Sequence, residues 1–192
     1  MAKYRNTIKK YDFILQKAYQ YTKKINSDIP VRFHMESLNI KTLEKWEETW
    51  KPFYRKNMPG NWDWFEIYRK YKTHSAKFFH VSLWSQETLC AMAIGKPSSG
   101  NHFCKLYYMA AAPFSHPLKG YVTLLVTDTL KAYAILINSD ALRLMNPDEN
   151  LIGKKFYERF GFHLREHRKI KKRCGRNEFE VFRGERYYEM FL

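Results

Sequence analysis

The chain has 192 residues, 45% hydrophobic and 17% aromatic, with 34 Lys and Arg against 19 Asp and Glu and a formal net charge of +15. That size and apolar content suit one globular domain with a buried core. No run of about 18 apolar residues occurs, which argues against a membrane-spanning helix, and the basic start Met1–Lys10 lacks the apolar stretch of a signal peptide.

Cys90, Cys104 and Cys174 form no CxxC pair. They read as reduced thiols of a cytoplasmic protein rather than a disulfide frame or zinc site. A charge of +15 attracts polyanions. The phosphates of a nucleotide cofactor, a nucleic acid or an acidic protein all meet that description, and so does a basic surface kept only for solubility.

Residues 6–24 have helical spacing, with Ile8, Tyr11, Ile14, Leu15 and Ala18 on one face and lysines around it. Residues 1–30 form a basic unit, in which seven Lys or Arg against Asp12 and Asp28 leave +5. This helix either packs on the domain or reaches for a polyanion or a second copy of the chain. The turn Asn26–Pro30 ends it. A short strand is expected over Val31–Met35, and helices over Ile40–Tyr54 and Trp62–Tyr71. Strands follow over Lys77–Trp84, Thr88–Gly95 and His102–Ala111 as an antiparallel meander. A long apolar helix, Tyr121–Ile137, and the turn Asn138–Asp140 return the chain to a strand at Ala141. Strand, helix, strand in that order is a crossover, which brings the two strands parallel. After Phe162 the chain reads as a hairpin, out over His163–Arg173 and back over Phe179–Phe191.

Residues 141–162, A-L-R-L-M-N-P-D-E-N-L-I-G-K-K-F-Y-E-R-F-G-F, concentrate the signal. Leu142 and Leu144 alternate as in a strand, and Asn146-Pro147 stops it. A helix follows with Leu151, Ile152, the Lys155 stem, Phe156 and Phe160 on its apolar face. Gly161 ends it where a left-handed residue is wanted. This strand–Asn-Pro–helix–Tyr–Gly-Phe order resembles the last part of the GCN5-related N-acetyltransferases. From the first strand on, the element order resembles that family too, over residues 31–192. The expected fold is therefore a mixed α/β (α+β) sheet of the acyl-CoA N-acyltransferase type, preceded by the extra helix of residues 1–30.

The resemblance implies acetyl-CoA as acyl donor, with no metal. It implies that backbone groups of Met109, Ala110, Ala111 and Ala112 pair with the pantetheine arm, much as a peptide adds to a strand edge. It also implies that the loop and helix start at Lys119, Gly120, Tyr121, Val122 and Thr123 hold the pyrophosphate. The family's loop pattern, [Q/R]-x-x-G-x-[G/A], is degenerate here: Gly120 fits, while Pro117 and Val122 do not. Tyr157 takes the position of the family tyrosine near the thioester sulfur, a proton donor, and Asn146 could orient substrate or a water. Glu36, His80, His102 and His116 stand open as bases. The substrate side draws on Glu36, Trp62, Trp64 with Phe65 and Tyr68, and Arg168 of the hairpin tip. That tip, residues 165–173, holds six Lys or Arg and one Glu, which attracts phosphate. The expected activity is N-acetyl transfer to an amine on a macromolecule, a nucleic acid such as tRNA or a protein. The alternative is a catalytically inactive relative of the same fold that binds nucleic acid or acts as an adaptor.

Overall fold

The computed structural model describes residues 2–55, 58, 60–146, 154–165, 168–174, 177–183 and 187–192. Helix α1 (Ala2–Ile25) carries Lys23 and Lys24 in its last turn, where cations offset the helix dipole. Leu15, Ala18, Tyr19 and Thr22 form its buried stripe, with Tyr11 and Ile14 partly covered. The stripe packs on the crossover helix α4 (Val122–Leu136), and Asn26 fixes the contact by donating to the Asp128 carboxylate at 2.8 Å.

Strand β1 (His34–Glu36) begins three residues later than the sequence pattern suggests. Helix α2 (Ile40–Thr49) is capped by Asn39, which accepts from the Thr42 N–H, and ends in a single 3-10 turn at Lys51–Phe53. Helix α3 (Trp64–His74) starts after Asp63, whose carboxylate accepts from the Glu66 N–H. Strands β2 (Phe79–Ser85), β3 (Thr88–Pro97) and β4 (Phe103–Ala111) form the expected antiparallel meander. After α4 comes β5 (Ala141–Met145), parallel to β4. Helix α5 (Lys154–Arg159) ends at Gly161 with φ +79°. Its Phe162 N–H reaches the Tyr157 carbonyl and its Gly161 N–H the Glu158 carbonyl, a Schellman cap.

The C-terminal hairpin divides in two. Its base, β6 (His163–Arg165) and β9 (Tyr187–Phe191), joins the main sheet, while β7 (Arg168–Cys174) and β8 (Asn177–Arg183) pair only with each other. The main sheet has seven strands in the order β1-β2-β3-β4-β5-β9-β6. Helices α1 and α4 cover one face, over a core that includes Leu83, Leu106, Leu142 and Tyr188. Helices α2 and α3 cover the β1–β4 half of the other face with an aromatic-rich core of Trp46, Trp50, Trp64, Tyr68 and Tyr71. Cys90 and Cys104 are buried free thiols. No helix among the described residues is long and apolar enough to cross a membrane.

Candidate active site at the open seam of the sheet

Strands β4 and β5 pair for only four rows, from Phe103 with Ala141 to Leu106 with Leu144. The reason lies on the other side of β4. Ile94 faces Tyr108, whereas Gly95 faces Leu106, so Tyr107 is an extra residue, a β-bulge. The bulge turns β4 away from β5. From Tyr108 to Ala111, β4 keeps β3 as a partner and has none on its β5 side among the described residues. Ala111 is exposed although its strand is central in the sheet. Both strands end here at their carboxyl ends, the usual position of a ligand crevice in parallel pairs.

The loop from β4 brings the α4 N-terminus to the same opening. Gly120 has φ +90°, and a Cβ there would meet nothing within 4 Å, so open space lies in front of it. Tyr121 caps α4 without a side-chain hydrogen bond, and the first turn contains no acid. The first intrahelical bond is donated by Leu125, which leaves the N–H groups of Val122 to Leu124 available to an anion. Val122 itself is buried in the core, so its branched side chain turns away from that opening. His116, at the loop's start, is 8% exposed, and its Nδ1 has no hydrogen-bond partner among the described residues. Burial, with Lys119 close by, holds its pKa below the usual histidine value, so the ring is neutral.

The α2–α3 side supplies the facing wall. Trp62 meets the Tyr108 ring edge-on at 5.2 Å and Trp64 at 6.0 Å. Phe53 lies 5.3 Å from Phe114. Gly60 has φ +81°, and a Cβ there would reach ordinary contact with the Ala110 methyl and the Tyr54 hydroxyl. Burial pushes the Tyr54 hydroxyl up to about 12, with the Trp46 indole acting the other way. Trp64 is fully buried and its indole N–H has no partner among the described residues.

The sequence-derived site residues divide by place. Ala110, Ala111, Ala112 and Met109 line the seam, and Lys119, Gly120, Tyr121, Val122 and Thr123 form the loop and first turn beside it. Asn146 ends β5 exposed, with φ +46°. Tyr157 is 4% exposed and stacks on Tyr188 at 4.6 Å. Tyr188 pairs with Leu144, which pairs with Leu106, so Tyr157 lies over the row where the seam opens. The helix face differs from expectation here: Lys155 is exposed and Tyr157 turns inward, while Leu151 and Ile152 lie outside the described residues. Trp62 and Trp64 belong to the wall described above. Glu36 is on the edge strand, 3.3 Å from His34, and three strand spacings put it roughly 14 Å from the Ala110 backbone. Arg168 begins β7, and its side chain is outside the described ones.

Among the histidines, His102 is exposed at the opposite end of β4 from Ala111, beside Asp140. His80 is buried, with its Nδ1 accepting from the Leu38 N–H at 3.0 Å. Neither borders the seam; His116 lies in the loop that leads from β4 to α4. Sequence reasoning passed over Tyr54, Tyr107, Tyr108 and Phe114. The Tyr107-Tyr108 pair inside a strand was the one available signal for a bulge, since two neighbours of one type there can share a face.

No protein-family model matches the chain, and the search of curated proteins gives no match. Solved structures do match. The chain is similar to the ribosomal-protein-S18-alanine N-acetyltransferase of Escherichia coli, with TM-score 0.52 and 14% identity over 83% of this chain and 94% of that one. It is also similar to a dodecameric structure of spermidine N-acetyltransferase from Vibrio cholerae, with TM-score 0.55 and 15% identity over 83% of this chain and 93% of that one. At these identities the likeness concerns the fold, and the fold of this chain is that of the GCN5-related N-acetyltransferases.

Proposed function

We propose that this protein is a CoA-dependent N-acetyltransferase, moving an acetyl group from acetyl-CoA to an amine on a macromolecule. Residues 31–192 would be the acyltransferase unit and residues 1–30 an accessory basic helix. The observation that carries the reading is the seam that opens after Leu106 and Leu144, with an uncapped helix start beside it. The two together fit a long ligand with an amide-bearing arm and a pyrophosphate. The free edge of β4 offers N–H and C=O groups to the arm, and small Ala110 and Ala111 side chains admit it. The first turn of α4, with Lys119, offers donors and positive charge to phosphate. His116 adds one buried ring nitrogen, unpartnered among the described residues, at the same loop.

When bound, acetyl-CoA supplies an activated thioester. The chain's own residues then have three tasks. The aromatic wall at Trp62 and Tyr108 holds the acceptor and keeps water off the carbonyl. Tyr157 gives a proton to the departing sulfur, and Asn146, at the end of β5, orients acceptor or water. The amine must arrive uncharged, and His116, a neutral ring in the loop that leads to α4, is the candidate to accept its proton. The charge of +15 and the six basic residues of the hairpin tip favour an anionic acceptor such as a nucleic acid or an acidic protein.

Acetyl-CoA calorimetry tests the reading. Binding accompanied by release of CoA thiol when amine-bearing tRNA or protein is added supports it. No binding at millimolar acetyl-CoA leaves a non-catalytic binder or adaptor of the same fold.

A further inference from the structure

The face of the sheet opposite α4 continues beyond the cover of α2 and α3, onto strands β5, β9 and β6. One cross-strand row there reads Lys96, Lys105, Arg143, Glu189, His163. Basic residues directly opposite one another destabilise a sheet. Glu189 is the acid of this row: it accepts from Arg143 Nε at 2.8 Å and from Arg165 Nε at 3.1 Å.

The rows on either side carry rings on β4 and β9, and Lys96, Lys105, Arg143 and Arg165 each lie against one. Lys96 Nζ is 5.9 Å from the Tyr107 centroid and Lys105 Nζ 5.5 Å from that of Phe103. The Arg143 guanidinium lies 3.7 Å from Phe103 and 4.5 Å from Tyr187, and that of Arg165 is 5.7 Å from Phe191. Rings of β4 and β9 thus lie against cations of β3, β4, β5 and β6. The surface is reachable: Phe191 is 66% exposed, and Lys96, His163 and Arg165 are exposed.

We propose that this face, with rings on β4 and β9 and cations on β3, β4, β5 and β6, binds single-stranded nucleic acid, with bases stacked on its rings and guanidinium planes and phosphates on its ammonium and guanidinium groups. Charge complementarity selects this occupant. A second copy of the chain docking by a two-fold axis would set the basic row against itself. A flat sheet face with several aromatic side chains stacks unpaired bases, whose π-faces a duplex hides. The inference deepens the macromolecular side of the proposed function and is independent of the acyl cleft.

The test is fluorescence anisotropy of a labelled 12-nucleotide oligouridylate, titrated with the full chain at 20 to 200 mM salt without acetyl-CoA. Phe191→Ala should weaken binding roughly 5- to 100-fold, as loss of one stacking ring does. Lys96→Gln with Arg165→Gln should flatten the log–log salt slope by about 1.4, or about 0.7 per single-strand phosphate. Phe191 and Lys96 are exposed, so their replacement should leave melting temperature unchanged; Arg165→Gln loosens one of the two Glu189 ion pairs and should lower it slightly, and acetyl-CoA affinity should stay unchanged in all. A third variant replaces Lys169, Lys171, Lys172 and Arg173 of the hairpin with Gln. The proposal is overturned if the wild type does not bind at 20 mM salt. It is equally overturned if only the hairpin variant loses binding, or if a duplex or polyglutamate of equal charge competes as well as the single strand. Failure of acetyl-CoA binding would strike the acyltransferase reading and leave these outcomes unaltered.

Discussion

A Cβ on Gly95 would collide with the backbone carbonyl oxygen of Lys105, closer than real Cβ atoms come to a neighbour. That contact sits where the pairing of β3 with β4 slips by one residue at Tyr107. Gly95 therefore permits the bulge, and the bulge opens the seam. Gly95→Ala should lower stability by about 1–3 kcal/mol in urea denaturation, the usual cost of forcing atoms into a packed site. It should also weaken acetyl-CoA binding. Gly100→Ala is the control. Its Cβ would meet only the exposed His102 ring, which can swing aside, so its effect should stay within about 0.5 kcal/mol. Equal effects of the two variants would remove the bulge from the account.

Gly120 separates strain from charge at the loop. Its φ of +90° makes any side chain strained, yet a Cβ there meets no atom within 4 Å. Gly120→Ala and Gly120→Asp should thus share a folding cost of about 1–3 kcal/mol. Only Gly120→Asp puts a carboxylate before the helix start, and it should weaken acetyl-CoA binding at least about tenfold beyond the alanine variant. Matching affinities in calorimetry would mean that the phosphates lie elsewhere.

Much of this was legible in the sequence because local chemistry and long-range packing agree. The Gly161 cap, the crossover through α4 and the meander of β2, β3 and β4 all follow from turn residues and hydrophobic spacing. The start of α3 was placed two residues early, at Trp62, because the Asp63 cap with Glu66 at its third residue went unread. Packing decided the rest. Tyr107 sits in an unbroken apolar run, and only the Gly95–Lys105 contact makes it a bulge. The α5 face was read from Phe156 and Phe160, which put Lys155 inward. Phe160 packs on the core as read, but Lys155 is exposed, and stacking on Tyr188, a partner 31 positions away, brings Tyr157 inward. The cation–ring face on β3, β4, β5, β9 and β6 depends on register between distant strands, which no local pattern records.

Tyr157 stacks on Tyr188 through its ring, so removal of the hydroxyl keeps that contact. Tyr157→Phe should leave melting temperature and acetyl-CoA affinity close to wild type. Turnover should fall roughly 100-fold or more if the hydroxyl protonates the leaving sulfur. Tyr157→Ala would instead open a core cavity and destabilise the fold by about 3–5 kcal/mol. Full turnover in the Phe variant would make Tyr157 a packing residue only.

His80 gives the stability of this fold a pH signature. It is buried against Phe78, at 4.2 Å between ring centroids, and accepts the Leu38 N–H at Nδ1. Burial first, and the charge of Lys72 second, lower its pKa to about 3. The unfolded chain, with an ordinary value near 6.5, takes up the proton first as pH falls. Its contribution is therefore complete above about pH 6.5 and is lost progressively between there and about pH 3. The slope should approach about 1.4 kcal/mol per pH unit in the middle of that window. His80→Asn keeps an acceptor for Leu38 and removes the titration. Urea denaturation at pH 7.5, 5.5 and 4.5 should show the variant weaker at pH 7.5 but losing less on acidification. Carboxylates titrate in the same window in both proteins, so the difference between the two curves isolates His80, and parallel curves would show that its protonation does not limit the fold.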